Sequence, residues 1–99
     1  MKKKLLKLIT KTNKIEQATS ERLTLKAIEE LGELAEAINW RNGYKKTPKT
    51  EQEITDAILE EGIDTIICVL AVMDKEGVDF KKFDKKFIKK ATKWKKKLE

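Results

Sequence analysis

The chain of 99 residues has no histidine, one cysteine, one proline and four glycines. With Cys68 alone, neither an intramolecular disulfide nor a thiolate metal cluster can form, and a reducing cytoplasm is the expected setting. So little Gly and Pro, beside 40% charged residues, favours long solvated helices over a strand-and-turn protein. Long apolar runs are missing as well: the longest uncharged stretch, Thr65 to Met73, is too short to span a bilayer. Near the amino terminus Lys7 interrupts Leu5, Leu6, Leu8 and Ile9, and Lys11 and Lys14 follow, which leaves no signal-peptide core. The expectation is one soluble, cytoplasmic, all-α domain over residues 1–99, with no membrane partner.

What is present is charge, unevenly placed. The formal net charge of +6 is concentrated in Met1 to Lys14 and in Lys81 to Lys97, while the middle is acidic. Nucleic acid, an anionic membrane and a small polyphosphate all suit such ends, so charge alone does not choose among them.

Apolar spacing predicts four helices. Leu5, Leu8, Ile9 and Ile15 support a first helix from 3 to about 18, weakened near Asn13. Thr19 or Ser20 can cap a second that runs to about Trp40 on an apolar face of Leu25, Ile28, Leu31, Ala35 and Ile38. Asn42-Gly43, Thr47 and Pro48 mark a loop from Arg41 to Thr50. A third helix runs from Thr50 or Glu51 to about Glu76, apolar on every side between Ala57 and Met73, as a helix buried all round would be. Gly77 ends it, and Asp79 starts a fourth carrying Phe80, Phe83, Phe87, Ala91, Trp94 and Leu98. A protomer this small cannot cover the third helix by itself, so a homodimer or tetramer is expected.

Two carboxylate pairs fall inside these helices. Glu30 and Glu33 in Glu29-Glu30-Leu31-Gly32-Glu33 lie about 60° apart around the axis and about 4.5 Å along it. Glu61 and Asp64 repeat that spacing on the face carrying Ala57, Cys68 and Ala71. In an antiparallel hairpin, Glu33 lies about 12 Å before the loop and Glu61 about 16 Å after it, so the two pairs should face each other. Clustered carboxylates in an apolar setting need a positive partner. A lysine from another helix is one solution. A metal is the other, and an all-oxygen donor set without histidine suits Mg²⁺ or Mn²⁺ rather than zinc.

These residues resemble the MazG-like all-α nucleotide pyrophosphohydrolases, whose pattern is EExxE followed, after a helix-loop-helix, by ExxD. Ala27 to Glu36 and Leu59 to Asp64 match it in type and order, and the likeness extends roughly from Leu25 to Lys90. The resemblance implies a four-helix, MazG-like bundle completed by dimerisation. It also implies Mg²⁺ held by Glu30, Glu33, Glu61 and Asp64, and hydrolysis of a nucleoside triphosphate to the monophosphate and pyrophosphate, a nucleotide-pool housecleaning reaction. Glu29 or Glu33 would then be the base that takes the proton of the attacking water. The family's third element, an Asn-x-Lys-Phe-x-x-x-Arg-like stretch, corresponds to Asp84 through Lys90. Lys86 and Phe87 match it. Asp84 replaces Asn, and Lys90 replaces Arg with loss of the planar fork that grips phosphate in two places. Lys45, Lys46, Lys86 and Lys90 would complete the phosphate pocket, from the same or a neighbouring subunit. Trp40 resembles the aromatic residue that packs on the base in the smaller relatives that hydrolyse pyrimidine deoxynucleotides; capping the core at its helix end is its other role.

Two further readings stay open. A nucleic-acid binding module would use the basic ends and the Lys-Trp-Lys context of Trp94, but gives no reason for carboxylates inside the third helix. A catalytically inactive relative would keep the fold and bind nucleotide without turnover.

Overall fold

The computed structural model describes residues 1–99 as four α-helices without strands: α1 (Lys3–Ile15), α2 (Ser20–Arg41), α3 (Glu51–Lys75) and α4 (Phe83–Leu98), the last preceded by a 3₁₀ turn at Phe80–Lys82. No helix is long and apolar enough to cross a membrane.

Local chemistry sets the ends of the central hairpin. Thr19 caps α2 by accepting from the Arg22 amide at 3.1 Å. Thr50 opens α3 with a reciprocal capping box: its hydroxyl accepts from Glu53 N at 3.2 Å while the Glu53 carboxylate accepts from Thr50 N at 3.0 Å. That pair of hydrogen bonds, the backbone one first, holds the Glu53 carboxyl below its ordinary pKa. Both helices stop at a glycine with positive φ, Gly43 at 76° and Gly77 at 80°. After each, the chain folds its amides back on the last turn. Val78 N donates to Met73 O at 3.0 Å and Gly77 N to Asp74 O at 3.1 Å, with the same pattern at Tyr44 and Gly43, so the orphan carbonyls are satisfied.

α2 and α1 both pack on α3. The seam holds the few buried side chains: Leu23 and Ala37 from α2, and Ile54, Cys68, Leu70 and Ala71 from α3. Asn13 does not weaken α1 but docks it, its amide donating to Ala71 O at 3.0 Å and Asp74 Oδ2 at 2.9 Å, beside Thr10 Oγ1 donating to Asp74 Oδ1 at 3.1 Å. The helix stops at Ile15 rather than near residue 18. At the far end of α3, Ser20 Oγ donates to Glu76 at 2.6 Å.

As expected of a single protomer, α1 and α2 do not cover α3 all round, and Leu59, Ile63, Ile66, Ile67 and Val69 are exposed. One expectation is corrected. The fourth helix does not begin at Asp79, whose carboxylate accepts from Lys81 N at 3.0 Å and caps the 3₁₀ turn instead. The α4 backbone then diverges from the other helices and stays close only to that turn, while its first turns share a concavity with Met73 of α3 and the amino-terminal ammonium forms an ion pair with Asp84. The radius of gyration is accordingly 16.1 Å, against about 13 Å for a compact domain of roughly 100 residues.

Candidate metal centre

Glu30 and Glu33 project from the middle of α2 toward α3, where Glu61 meets them. One carboxylate oxygen from each lies within 4.8 Å of the others, close enough for a single cation to touch all three. Glu30 and Glu61 are half-buried and Glu33 is exposed at the rim. The heights counted from the loop thus bring three of the four expected ligands together.

The electrostatics of the trio centre on Glu61. Its Oε2 is cut off from solvent and no protein donor reaches it. Its pKa is pushed up to about 7, first by sharing a hydrogen bond with Glu33, then by loss of solvent, then by hydrogen bonding to Glu30 and the negative charges of both. A proton or a cation is what this oxygen lacks, and either would relieve the repulsion. The donor set is all carboxylate oxygen, which suits a hard divalent ion.

Asp64, one turn beyond Glu61, is exposed and stands outside the trio. With Glu30 it acts instead on Cys68. Burial pushes the Cys68 thiol up, Glu30 adds to this, Lys26 opposes it, and Asp64 and Glu16 raise it further. The thiol is buried and protonated, not a nucleophile. Glu29, one turn before Glu33 on α2, is not one of the three and lines a concavity of about 660 Å³ with Arg22, Lys26 and Glu16. Neither cation is ion-paired, a feature that helical spacing from Glu30 would have flagged.

The substrate-contact candidates are scattered within one chain. Trp40, half-buried at the end of α2, lies seven residues beyond Glu33 and so on nearly the same helix face, about 10 Å further along. The Lys49 ammonium sits 5.4 Å from its ring centroid. Lys45 is paired to Glu36 at 3.4 Å, while Lys46 is exposed in the loop and makes no ion pair. Lys86 and Lys90 line a different concavity of about 490 Å³ with Lys82, Phe83, Phe87 and Met73. Met73 lies about 18 Å along α3 from Glu61, so these lysines are remote from the trio. Asp84 is occupied by the amino terminus.

Comparisons with protein-family models, with curated proteins and with solved structures return no match to this chain.

Proposed function

We propose that the protein hydrolyses a nucleoside triphosphate to the monophosphate and pyrophosphate with Mg²⁺, or Mn²⁺ in its place, in the manner of the MazG-like enzymes it resembles. The observation that carries this reading is the Glu30–Glu33–Glu61 trio, with an inner oxygen that no protein donor satisfies. Glu30, Glu33 and Glu61 would hold the ion, with Asp64, exposed one turn further along α3, as the fourth ligand that the resemblance implies. Once bound, the ion supplies charge neutralisation of the phosphates and a lowered pKa for water.

The remaining work belongs to the chain's own side chains. Water attacks the α-phosphorus, the bond to the bridging oxygen breaks, and pyrophosphate leaves with the electron pair. Glu33 is the better placed of the two candidate bases for the water's proton, since it belongs to the trio while Glu29 faces the Arg22 concavity. Trp40, on the same side of α2, provides a flat surface for the base. The working form is a homo-oligomer in the cytoplasm, in which a second copy covers the open apolar side of α3 and completes the bundle.

The test is a panel of canonical and damaged nucleotides assayed for pyrophosphate release with and without Mg²⁺. Metal-dependent release from at least one of them is expected. A folded protein that releases none with either ion would leave a binding-only protein as the better account.

A further inference from the structure

Two properties meet on α4, an open apolar stripe and a dense positive charge. Phe83, Phe87, Ala91, Trp94 and Leu98 fall within an arc of about 80° around its axis, and Phe87, Trp94 and Leu98 are 62%, 69% and 74% exposed. Ten of the nineteen residues from Lys81 to Glu99 are lysine, against Asp84 and Glu99. Of those two acids, Asp84 is taken by the amino-terminal ammonium and Glu99 by Lys95. Helical spacing sets Lys86, Lys90 and Lys97 along one edge of the stripe and Lys95 along the other. Only the first turns of α4 share a concavity with the rest of the chain, at Met73 and Val78, and Trp94 and Leu98 stand beyond it.

α1 repeats the pattern at the other end of the sequence. Met1 to Lys14 holds six lysines and no acidic residue. Thr10 and Asn13 tie one side of α1 to α3. Leu5, Leu8 and Ile15 are exposed and lie about 160° round the helix from that side. The ion pair between the Met1 ammonium and Asp84 brings the starts of α1 and α4 together, so both basic stripes leave from one corner of the molecule.

A partner for these stripes must offer negative charge with an apolar layer beneath it, wide enough for two helices. Nucleic acid meets lysines through its phosphates but has no apolar layer to take Leu8, Phe87 and Leu98. An acidic groove shaped for a single helix serves α4 and leaves α1 uncovered. A phospholipid leaflet with anionic headgroups supplies both properties over a plane, and a helix with an apolar stripe and a lysine-rich polar face lies in that boundary. Tryptophan is the residue type that settles at headgroup level, and lysines on the edges of a stripe reach the headgroups while their stems stay with the acyl chains.

We propose that the protein binds the surface of an anionic phospholipid membrane through α4, with α1 as a second contact. The contact is peripheral, since no helix is long and apolar enough to cross a membrane. The α4 backbone diverges from the hairpin, so α4 enters the leaflet while the acidic α2–α3 hairpin, repelled by the same surface, stays in water. This binding stands independently of the reaction proposed for the carboxylate trio.

The test uses the full chain and two kinds of vesicle, phosphatidylcholine alone and an equal mixture of phosphatidylcholine and phosphatidylserine. Sedimentation with the mixed vesicles should exceed that with the neutral ones by about tenfold or more. Lys93→Gln, Lys95→Gln and Lys97→Gln together should weaken it by about 100-fold, and Trp94→Ser with Leu98→Ser by about tenfold or more. Because α4 touches so little of its own chain, both variants should keep the wild-type circular dichroism and melting temperature. In Trp40→Phe, where Trp94 is the only indole, brominated acyl chains should quench the emission of vesicle-bound protein. Equal sedimentation with both vesicles, none with either, or bound protein whose Trp94 stays unquenched overturns the proposal. Binding that the lysine substitutions abolish and the Trp94 and Leu98 pair leaves intact also overturns it, since that is how a nucleic-acid site would behave. A lower melting temperature or a smaller oligomer in the Trp94 and Leu98 pair would put the stripe between copies of this chain, and overturns it as well.

Discussion

Glu33 on α2 and Glu61 on α3 bring carboxylate oxygens within 4.8 Å of each other across the hairpin, and the Glu61 carboxyl is pushed up to about 7 by that neighbour, by loss of solvent and by Glu30. The folded-state pKa of Glu61 therefore lies above its value of 4.5 in the unfolded chain. A carboxyl group raised in this way binds more protons when folded, so its contribution is fully present below the unfolded pKa and is lost as pH rises through the folded one. The metal-free protein should thus melt at a progressively lower temperature between pH 4.5 and about 7. Glu61→Gln, a neutral hydrogen-bonding isostere, should flatten that slope. An equally steep slope in the variant would place the titrating group elsewhere.

Mg²⁺ or Mn²⁺ should reverse the loss. A ligand present at about a hundred times its dissociation constant stabilises the native state by about 2.7 kcal/mol, a rise of several degrees or more for a domain this size. The gain should be larger at pH 8 than at pH 6, because the ion displaces the proton on Glu61. Glu61→Gln should remove most of it and lower pyrophosphate release by about 100-fold or more. Calorimetric scans with and without the ion, run beside the release assay, check both.

Asn13→Ala removes the amide that ties α1 to Ala71 O and Asp74 and leaves partly buried acceptors short of a donor. A cost of about 1–3 kcal/mol is expected in urea denaturation. Because that tie lies at the far end of α3 from the trio, manganese affinity should stay as it was.

Gly77→Ala puts a Cβ on a backbone held at φ 80°. Nothing crowds the position, so the penalty is conformational, about 1 kcal/mol or somewhat more. Gly32→Ala, inside α2 and equally uncrowded, should move stability the other way, by about 0.5–1 kcal/mol. Opposite signs in parallel denaturation curves would confirm that the glycines do different work.

Thr50→Ala should cost about 1 kcal/mol by opening the capping box. Glu53 gives this pair a pH signature opposite to that of Glu61. Its carboxyl is held below 4.5, so its contribution is present above the unfolded pKa and is lost as pH falls through the folded one. The difference in stability between wild type and Thr50→Ala should shrink in acid.

The hairpin was legible in the residues because its signals are local. Thr50 with Glu53 three residues on, the glycines after α2 and α3, and apolar spacing all act within a turn or two of where they stand. The meeting of Glu30, Glu33 and Glu61 followed from helix rise alone, since two rigid rods joined by a short loop have few ways to align. Asp64 did not follow, because spacing places a Cα on a face but leaves the side-chain rotamer free. Asn13 misled for a related reason: its amide looks like a helix weakener until Asp74, sixty-one residues away, supplies its partner. α4 was recognisable as a helix but not as one standing apart, for no residue within it records the direction in which the Gly77 to Lys82 segment launches it.

Cys68 gives the molecule a built-in clock. A thiolate is the form that alkylating reagents attack, and here the sulfur is both enclosed between α2 and α3 and held protonated by its surroundings. Modification must wait for the two helices to part, so its rate counts openings of the seam. The same enclosure shields the only thiol in the chain from passing oxidants. Any ion that draws Glu30, Glu33 and Glu61 together one to two turns away would slow the count, and a single thiol would register events at the carboxylates without touching them.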